Sequence, residues 1–220
     1  MSAARSPGGK LRQGSDPLNP KLKSYLFPGL LAVLVLGIAG YLVVQSLGSG
    51  SSLPVVQSAP DFELTNADGR QIKAGDNAGK VVLMEFMFTS CPDICPVTTY
   101  KMVQLQEKLK QQGVFGDKVQ FVAVTFDPER DTPETLQKYA ERMGMDMSGW
   151  HVLRGEEAAT KELAAKYGVN VVNMGEGQFV HNVTSLQLID AKQQIRRVYE
   201  MGDGMDNEEV LKDISSLLDE

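Results

Sequence analysis

The stretch Val81 to Phe88, VVLMEFMF, is apolar at every position except Glu85. A strand with one wet face alternates polar and apolar residues, so a continuous run of this kind must be covered on both faces. Val119 to Phe126, VQFVAVTF, is a second run of the same character. Two such strands place the chain among sheets with helices above and below, the α/β class.

The segments between the runs support that class. After FTSCPDICP, Phe88 to Pro96, the residues Thr98, Met102, Leu105 and Leu109 recur on one helical face until Gly113 stops the pattern. Proline is disfavoured within a helix and restricts the residue before it, so the helix is expected to begin at Pro96 with Cys95 as its N-cap. DPERDTPE supplies a turn and the start of a second helix over Thr135 to Met143. WHVLRG reads as a third strand, EEAATKELAAKYG as a third helix, and TSLQLID with QIRRVYE as a closing hairpin around Asp190 to Gln193. NEEVLKDISSLLDE is a final amphipathic helix with Val210, Ile214, Leu217 and Leu218 on one side. An N-terminal β-hairpin turning at Asn66-Ala67-Asp68-Gly69 extends this plan, which is thioredoxin-like over residues 60–220.

The N-terminal part has a different character. Residues 1–24 carry Arg5, Lys10, Arg12, Lys21 and Lys23 against Asp16 alone, whereas the whole chain has a net charge of −6. Tyr25 to Val44 is free of charge and, as a helix, about 30 Å long, the thickness of a bilayer core. It is expected to be an uncleaved single-pass transmembrane helix rather than a signal peptide, because QSLGSGSS after it is a poor cleavage site. The basic tail then stays in the cytoplasm, and the folded domain lies on the other side of the inner membrane, periplasmic or extracytoplasmic. Residues 45–59, rich in Ser and Gly, read as a flexible linker. The acidic balance leaves no basic surface for nucleic acid.

Two cysteines four residues apart, Cys91 and Cys95, close too small a loop to serve as a disulfide scaffold. They follow the C-terminal end of a central strand, where ligands gather in α/β sheets, and the adjacent helix N-terminus is expected to favour thiolate. Soft thiolates suit Cu(I), and an added imidazole suits Cu(II). The chain has two histidines, and His181, after the irregular stretch NMGEGQFVHN, is the one a loop can carry to the cysteines. His151 lies in WHVLRG, where a packed or surface histidine is the plainer reading. A structural zinc site would lack a ligand. A dithiol–disulfide switch uses the same two sulfurs and remains open beside the copper reading. A peroxidase would need one activated cysteine with an arginine beside it, and the sequence places no such pair.

In order, FTSCPDICP, VTFDPERDTPE and a histidine shortly before TSLQLID, behind an N-terminal anchor, resemble the Sco (SenC) family across residues 60–220. The resemblance implies a thioredoxin-like fold and copper held by Cys91, Cys95 and His181. It implies delivery of that copper to the binuclear copper site of cytochrome c oxidase, or reduction of that site's cysteines. Its partners would be the copper-binding subunit of the oxidase, another copper chaperone as donor, and the membrane. The chain departs from the family's common pattern at Val180-His181-Asn182, where Asp-His-Ser is frequent, and at Met87, where glycine is common.

Asp127 is similar to an acidic residue the family keeps near the metal and is a candidate to orient the site, although Asp-Pro and Asp-Thr-Pro-Glu are also good turn and capping chemistry. Arg130 is a weaker candidate on the same turn. Glu85 reads either as a residue on a partly solvated side or as a proton relay. Met143, Met145 and Met147 read as gap-fillers at a helix end before they read as a second copper site.

Overall fold

The computed structural model describes residues 28, 31–41, 53–173, 179–181 and 185–220. The chain divides into two compact units, Met1–Gly50 and Ser51–Glu220. In the first, residues 31–41 are helical and Leu31, Val33, Leu34, Val35 and Leu36 are exposed. Among the described residues no helix is long and apolar enough to cross a membrane. The expected span, Tyr25 to Val44, lies partly outside the described residues.

The second unit is built on strands β1 (Gln57–Ser58), β2 (Glu63–Asn66), β3 (Gln71–Lys73), β4 (Val81–Met87), β5 (Val119–Thr125), β6 (Trp150–Arg154), β7 (Val171–Asn173), β8 (Phe179–His181), β9 (Ser185–Ile189) and β10 (Gln194–Glu200). Its helices are α1 (Ile94–Gln111), α2 (Pro133–Met143), α3 (Glu157–Lys166) and α4 (Asn207–Leu218). Eight strands form one sheet in the order β1-β10-β9-β4-β5-β6-β2-β3, while β7 and β8 pair separately. The β4, β5 and β6 strands are parallel, with Met87 beside Thr125 and Val122 beside His151. The β9 strand runs antiparallel to β4 on its other edge. A parallel core extended by an antiparallel hairpin is the α/β plan expected from the pattern of apolar runs.

Every residue of β4 and of β5 is buried, as continuous apolar runs require. Phe121 meets Trp150 edge to face at 5.1 Å, and the Trp150 indole donates to Gln106 Oε1 at 2.7 Å, fixing α1 across the sheet. Burial of side chains of this size contributes roughly 1.5–3 kcal/mol each. The α1 helix packs beside α2 and beside α4.

Two boundaries differ from the expectation. Leu53 is buried and Gln57–Ser58 pair with β10, although the linker was expected to reach Ala59. Arg196, itself 6% exposed, holds that segment by donating to the Leu53 carbonyl, and it is paired with Asp190 at 2.9 Å and Glu220 at 2.7 Å. A composition of Ser and Gly does not reveal a buried arginine more than a hundred residues away. Helix α1 begins at Ile94 with Asp93 as N-cap, not at Pro96 with Cys95 as N-cap. Proline is tolerated throughout the first turn, where backbone N–H groups have no intrahelical acceptor, and so it did not force the helix to start at itself.

Candidate metal centre

Cys91 and Cys95 lie where β4 ends and α1 begins, and neither is joined in a disulfide. Both are buried, Cys91 at 9% and Cys95 at 1% exposure. A turn brings them together: the Cys91 amide donates to the Phe88 carbonyl at 3.2 Å, and Cys95 then falls in the first turn of α1. The Cys95 thiol is hydrogen-bonded to Cys91, and this contact, with burial and the charge of Cys91 behind it, pushes the Cys95 pKa up, while the Phe88 amide acting on its sulfur pulls down. The helix N-terminus was expected to favour thiolate at both positions. At Cys95 the neighbouring sulfur and loss of water outweigh it.

The loop is held from three directions. Asp131, fully buried at the start of α2, accepts from the Thr89 amide at 3.1 Å, from the Thr89 hydroxyl at 2.5 Å and from the Thr125 hydroxyl. Thr89 stands two residues before Cys91, so Asp131 ties the cysteine loop to the end of β5. Behind α1, the Thr98 hydroxyl donates to the Ile94 carbonyl at 2.8 Å and accepts from the Gly202 amide at 2.7 Å. Gly202 has φ 66°, and a Cβ there would stand 2.7 Å from Ile94 Cγ1, so only glycine lets this turn approach the residue before Cys95. Beside the loop in sequence, Phe88 meets Phe126 at 5.2 Å between ring centres, the two rings tilted by 48°.

The remaining candidates are distributed unevenly. The backbone of His181 is in β8, opposite Val171, on the separate hairpin that leads into β9; its side chain is outside the described residues. His151 lies on β6 beside Val122, three residues short of the end of β5, which places it about 10 Å below the cysteine edge. It is half-buried, and burial lowers its pKa. Asp127 is buried two residues after β5, with its amide on Thr125 Oγ1 at 3.0 Å and its carboxylate 3.4 Å from Arg130 Nη1. Burial raises its pKa, with Arg130 opposing. Met145 is buried and Met147 is 40% exposed at the end of α2, where both line a cavity with Asp68, Gln137 and Glu141.

Sequence reasoning missed Asp131 and the partners of Glu85. The turn DPERDTPE gave no local sign of which of its acids would be buried; that is decided by Thr89, 42 residues away in sequence. Replacing Asp131 with alanine leaves two hydroxyls and an amide without their acceptor, and we expect a loss of about 3 kcal/mol in urea unfolding. Asp131→Asn, which keeps an acceptor oxygen, should lose less than half of that. Equal stability of Asp131→Ala and the native chain would remove Asp131 as the anchor of the loop.

Two soft sulfurs in hydrogen-bond contact at the rim of the sheet are a fitting donor set for copper. Among the described residues, no group of three or more His, Cys, Asp or Glu side chains is placed to hold a metal ion. Comparison with known proteins bears on the fold and the family. The SCO1/SenC family profile matches residues 52–219. A SCO1 protein homolog of Bacillus subtilis is 28% identical over 166 residues, covering 74% of this chain and 84% of the relative. A SCO1/SenC family lipoprotein from Bacillus anthracis superimposes with a TM-score of 0.68 at 30% identity, over 74% of this chain and 95% of that one. BsSco, described as having a disulfide switch, superimposes with a TM-score of 0.68 at 25% identity, over 76% and 98%. Copper-bound ScoI of Arabidopsis thaliana shares the fold with a TM-score of 0.63 at 24% identity, over 74% and 99%. With the match running from the segment that Arg196 holds to the end of α4, and with the paired thiols at the place the sheet prepares for a ligand, this chain belongs to the SCO1/SenC family.

Proposed function

We propose that this chain is a copper metallochaperone that binds copper through Cys91, Cys95 and His181 and passes it to the binuclear copper site of cytochrome c oxidase. The observation that carries the proposal is the placing of two buried cysteines, Cys91 and Cys95, four residues apart where β4 ends and α1 begins. Relatives support it: BsSco is described as a member of the Sco family of cytochrome c oxidase assembly proteins, and Sco proteins of Arabidopsis, Bradyrhizobium japonicum and yeast have been solved with copper bound. Loading Cu(I) on the pair replaces two S–H bonds with two S–Cu bonds and releases two protons. Transfer is then ligand exchange, in which an acceptor thiolate enters as Cys91, the more exposed of the two, leaves. Asp131 keeps the loop in place through that exchange, and Asp127 lies beside it as a candidate to orient the ligands. The exposed apolar residues of the 31–41 helix suit an anchor in the bilayer, with the domain on the outer side of the bacterial inner membrane.

Changing His181 to alanine separates the two oxidation states. Two thiolates satisfy Cu(I) in a low-coordinate geometry, whereas Cu(II) needs further nitrogen or oxygen donors. The variant should lose roughly a hundredfold or more in Cu(II) affinity, together with the strong thiolate-to-Cu(II) absorption, and less than about tenfold in Cu(I) affinity. His151→Ala should do neither. An intact Cu(II) spectrum in His181→Ala would show that β8 does not deliver the third ligand.

A second reading rests on the same pair. Thiols one hydrogen bond apart are poised to form a disulfide, and a thiol–disulfide oxidoreductase acting on the acceptor's cysteines would use them that way. The disulfide switch described for BsSco favours keeping this reading beside the first. One-to-one Cu(I) binding in a competition titration selects the chaperone; weak binding with rapid disulfide exchange selects the reductase.

A further inference from the structure

A cleft of about 240 Å³ opens between the cysteine loop and α2, lined by Thr89 and Ser90 from the loop and by Thr135, Lys138, Tyr139 and Arg142 from the helix. Lys138 and Arg142 stand four residues apart, and both are exposed. Like charges at that spacing share a helix face and destabilise it, as opposite charges would stabilise it. Among the described residues neither cation is in an ion pair. Glu134, one turn before Lys138, is hydrogen-bonded with its own amide and with Thr132; these bonds do most to lower its pKa, and Lys138 acts on it only behind them. Two positive charges therefore face the cleft without a counter-ion.

The cleft is also firmly built. The Arg142 guanidinium lies 5.3 Å from the centre of the Tyr139 ring, a contact that uses the face of the guanidinium's charge and leaves its N–H groups free to donate. Tyr139 is 2% exposed, with its hydroxyl 3.0 Å from the Thr99 hydroxyl, which donates to Glu85 Oε1 at 3.1 Å. On the opposite wall, the Asp131 carboxylate takes up the Thr89 amide and hydroxyl and the Thr125 hydroxyl. Thr89 and Ser90 immediately precede Cys91, so two residues of chain, about 7 Å at most, separate that wall from the Cys91 backbone. The surroundings are of the other sign. The chain has a net charge of −6, and its first 24 residues hold five cations against one acid, so the folded domain is more acidic than the whole.

We propose that this cleft receives a carboxylate that the acceptor protein carries within a few residues of its attacking cysteine. Lys138 and Arg142 act as the counter-ions, and the Ser90 and Thr135 hydroxyls as donors, so the cleft selects and orients the incoming thiol. The inference rests on the reading of Cys91 and Cys95 as the exchanging groups and names the chemistry of the partner. In copper transfer a bond from the acceptor sulfur to copper forms as the Cys91 bond breaks, and the proton the acceptor thiol loses is matched by the one Cys91 takes up. In disulfide exchange the acceptor thiolate bonds to one sulfur of the pair, and the other leaves as thiolate. The carboxylate enters neither step, so Lys138 and Arg142 are positioning residues.

The experiment uses glutathione, whose two carboxylates flank its thiol, and glutathione diethyl ester, in which both are blocked. In one arm the full chain in uncharged detergent is oxidised with ferricyanide, freed of the oxidant and reduced by each thiol. In the other, the reduced chain is loaded with Cu(I), and transfer to each thiol is followed. The ratio of the glutathione rate to the ester rate is expected to fall about fivefold in the Lys138→Gln, Arg142→Gln double variant. Comparing ratios cancels the reactivity of each thiol and any general change in the loop. The charge-preserving pair Lys138→Arg, Arg142→Lys should restore the ratio, and about 0.5 M salt should lower it in the native chain. An unchanged ratio in a folded double variant, or one that the charge-preserving pair fails to restore, overturns the cleft. If the chain takes up no Cu(I), the metal reading fails and the disulfide arm decides the cleft by itself. If Cu(I) loads and transfers with the same ratio in native and double variant, the cleft fails and the metal reading stands.

Discussion

Copper added to the reduced protein is expected to raise its melting temperature by about 10 °C, and the disulfide form should show no such rise. A metal that binds only the native site stabilises it by the linkage relation, about 4 kcal/mol when free metal exceeds the dissociation constant a thousandfold. For a chain of this size each kcal/mol moves the midpoint by roughly 2–4 °C. Oxidation removes the two S–H bonds that copper would replace, so the site loses its soft donors in one step. Cys91→Ser and Cys95→Ser should each abolish the shift for Cu(I), because one thiolate cannot complete a low-coordinate site. Differential scanning calorimetry of the reduced, oxidised and two serine forms provides the comparison. An equal shift in the oxidised form would take Cys91 and Cys95 out of the site.

Glu85→Gln should turn a pH-sensitive protein into a flatter one. The carboxyl holds its proton up to about pH 8 in the native fold, whereas an exposed glutamate titrates near 4.3. Between those values the native state binds more protons than the unfolded chain, so the stability from this group, complete below the unfolded value, declines as pH rises and is gone above the native one. Over the whole interval the linkage is on the order of 5 kcal/mol as an upper figure. The glutamine variant lacks the slope, so its stability relative to the native chain should increase steadily from pH 5 to pH 8 in urea unfolding. Parallel pH profiles for the two would mean that burial does not raise the Glu85 pKa in the native state.

The legible parts of this protein are those written in short windows. Unbroken apolar runs gave β4 and β5 and hence the central parallel sheet, Asn66-Ala67-Asp68-Gly69 gave the first hairpin, and the Cys-x-x-x-Cys at the end of β4 marked the dithiol. These features depend on side-chain periodicity and turn chemistry, which act over a few residues. The same windows misplaced the start of α1, since proline is permitted at several positions in a first turn, and they extended the linker into a segment that Arg196 holds down.

The chemistry around the cysteines was settled at longer range. Asp131 reaches Thr89 across 42 residues, Tyr139 reaches Thr99 across 40, and Gly202 reaches Thr98 across 104. Sequence by itself determined that this chain has a parallel sheet with two closely spaced cysteines after one of its central strands. Only the tertiary structure decided that burial and Cys91 push the Cys95 pKa up, that Asp131 anchors the loop through Thr89, and that Glu85 is fully buried rather than partly solvated. The physical reason is that burial and proton affinity are set by what packs against a group from other elements, and no local pattern of residues carries that information.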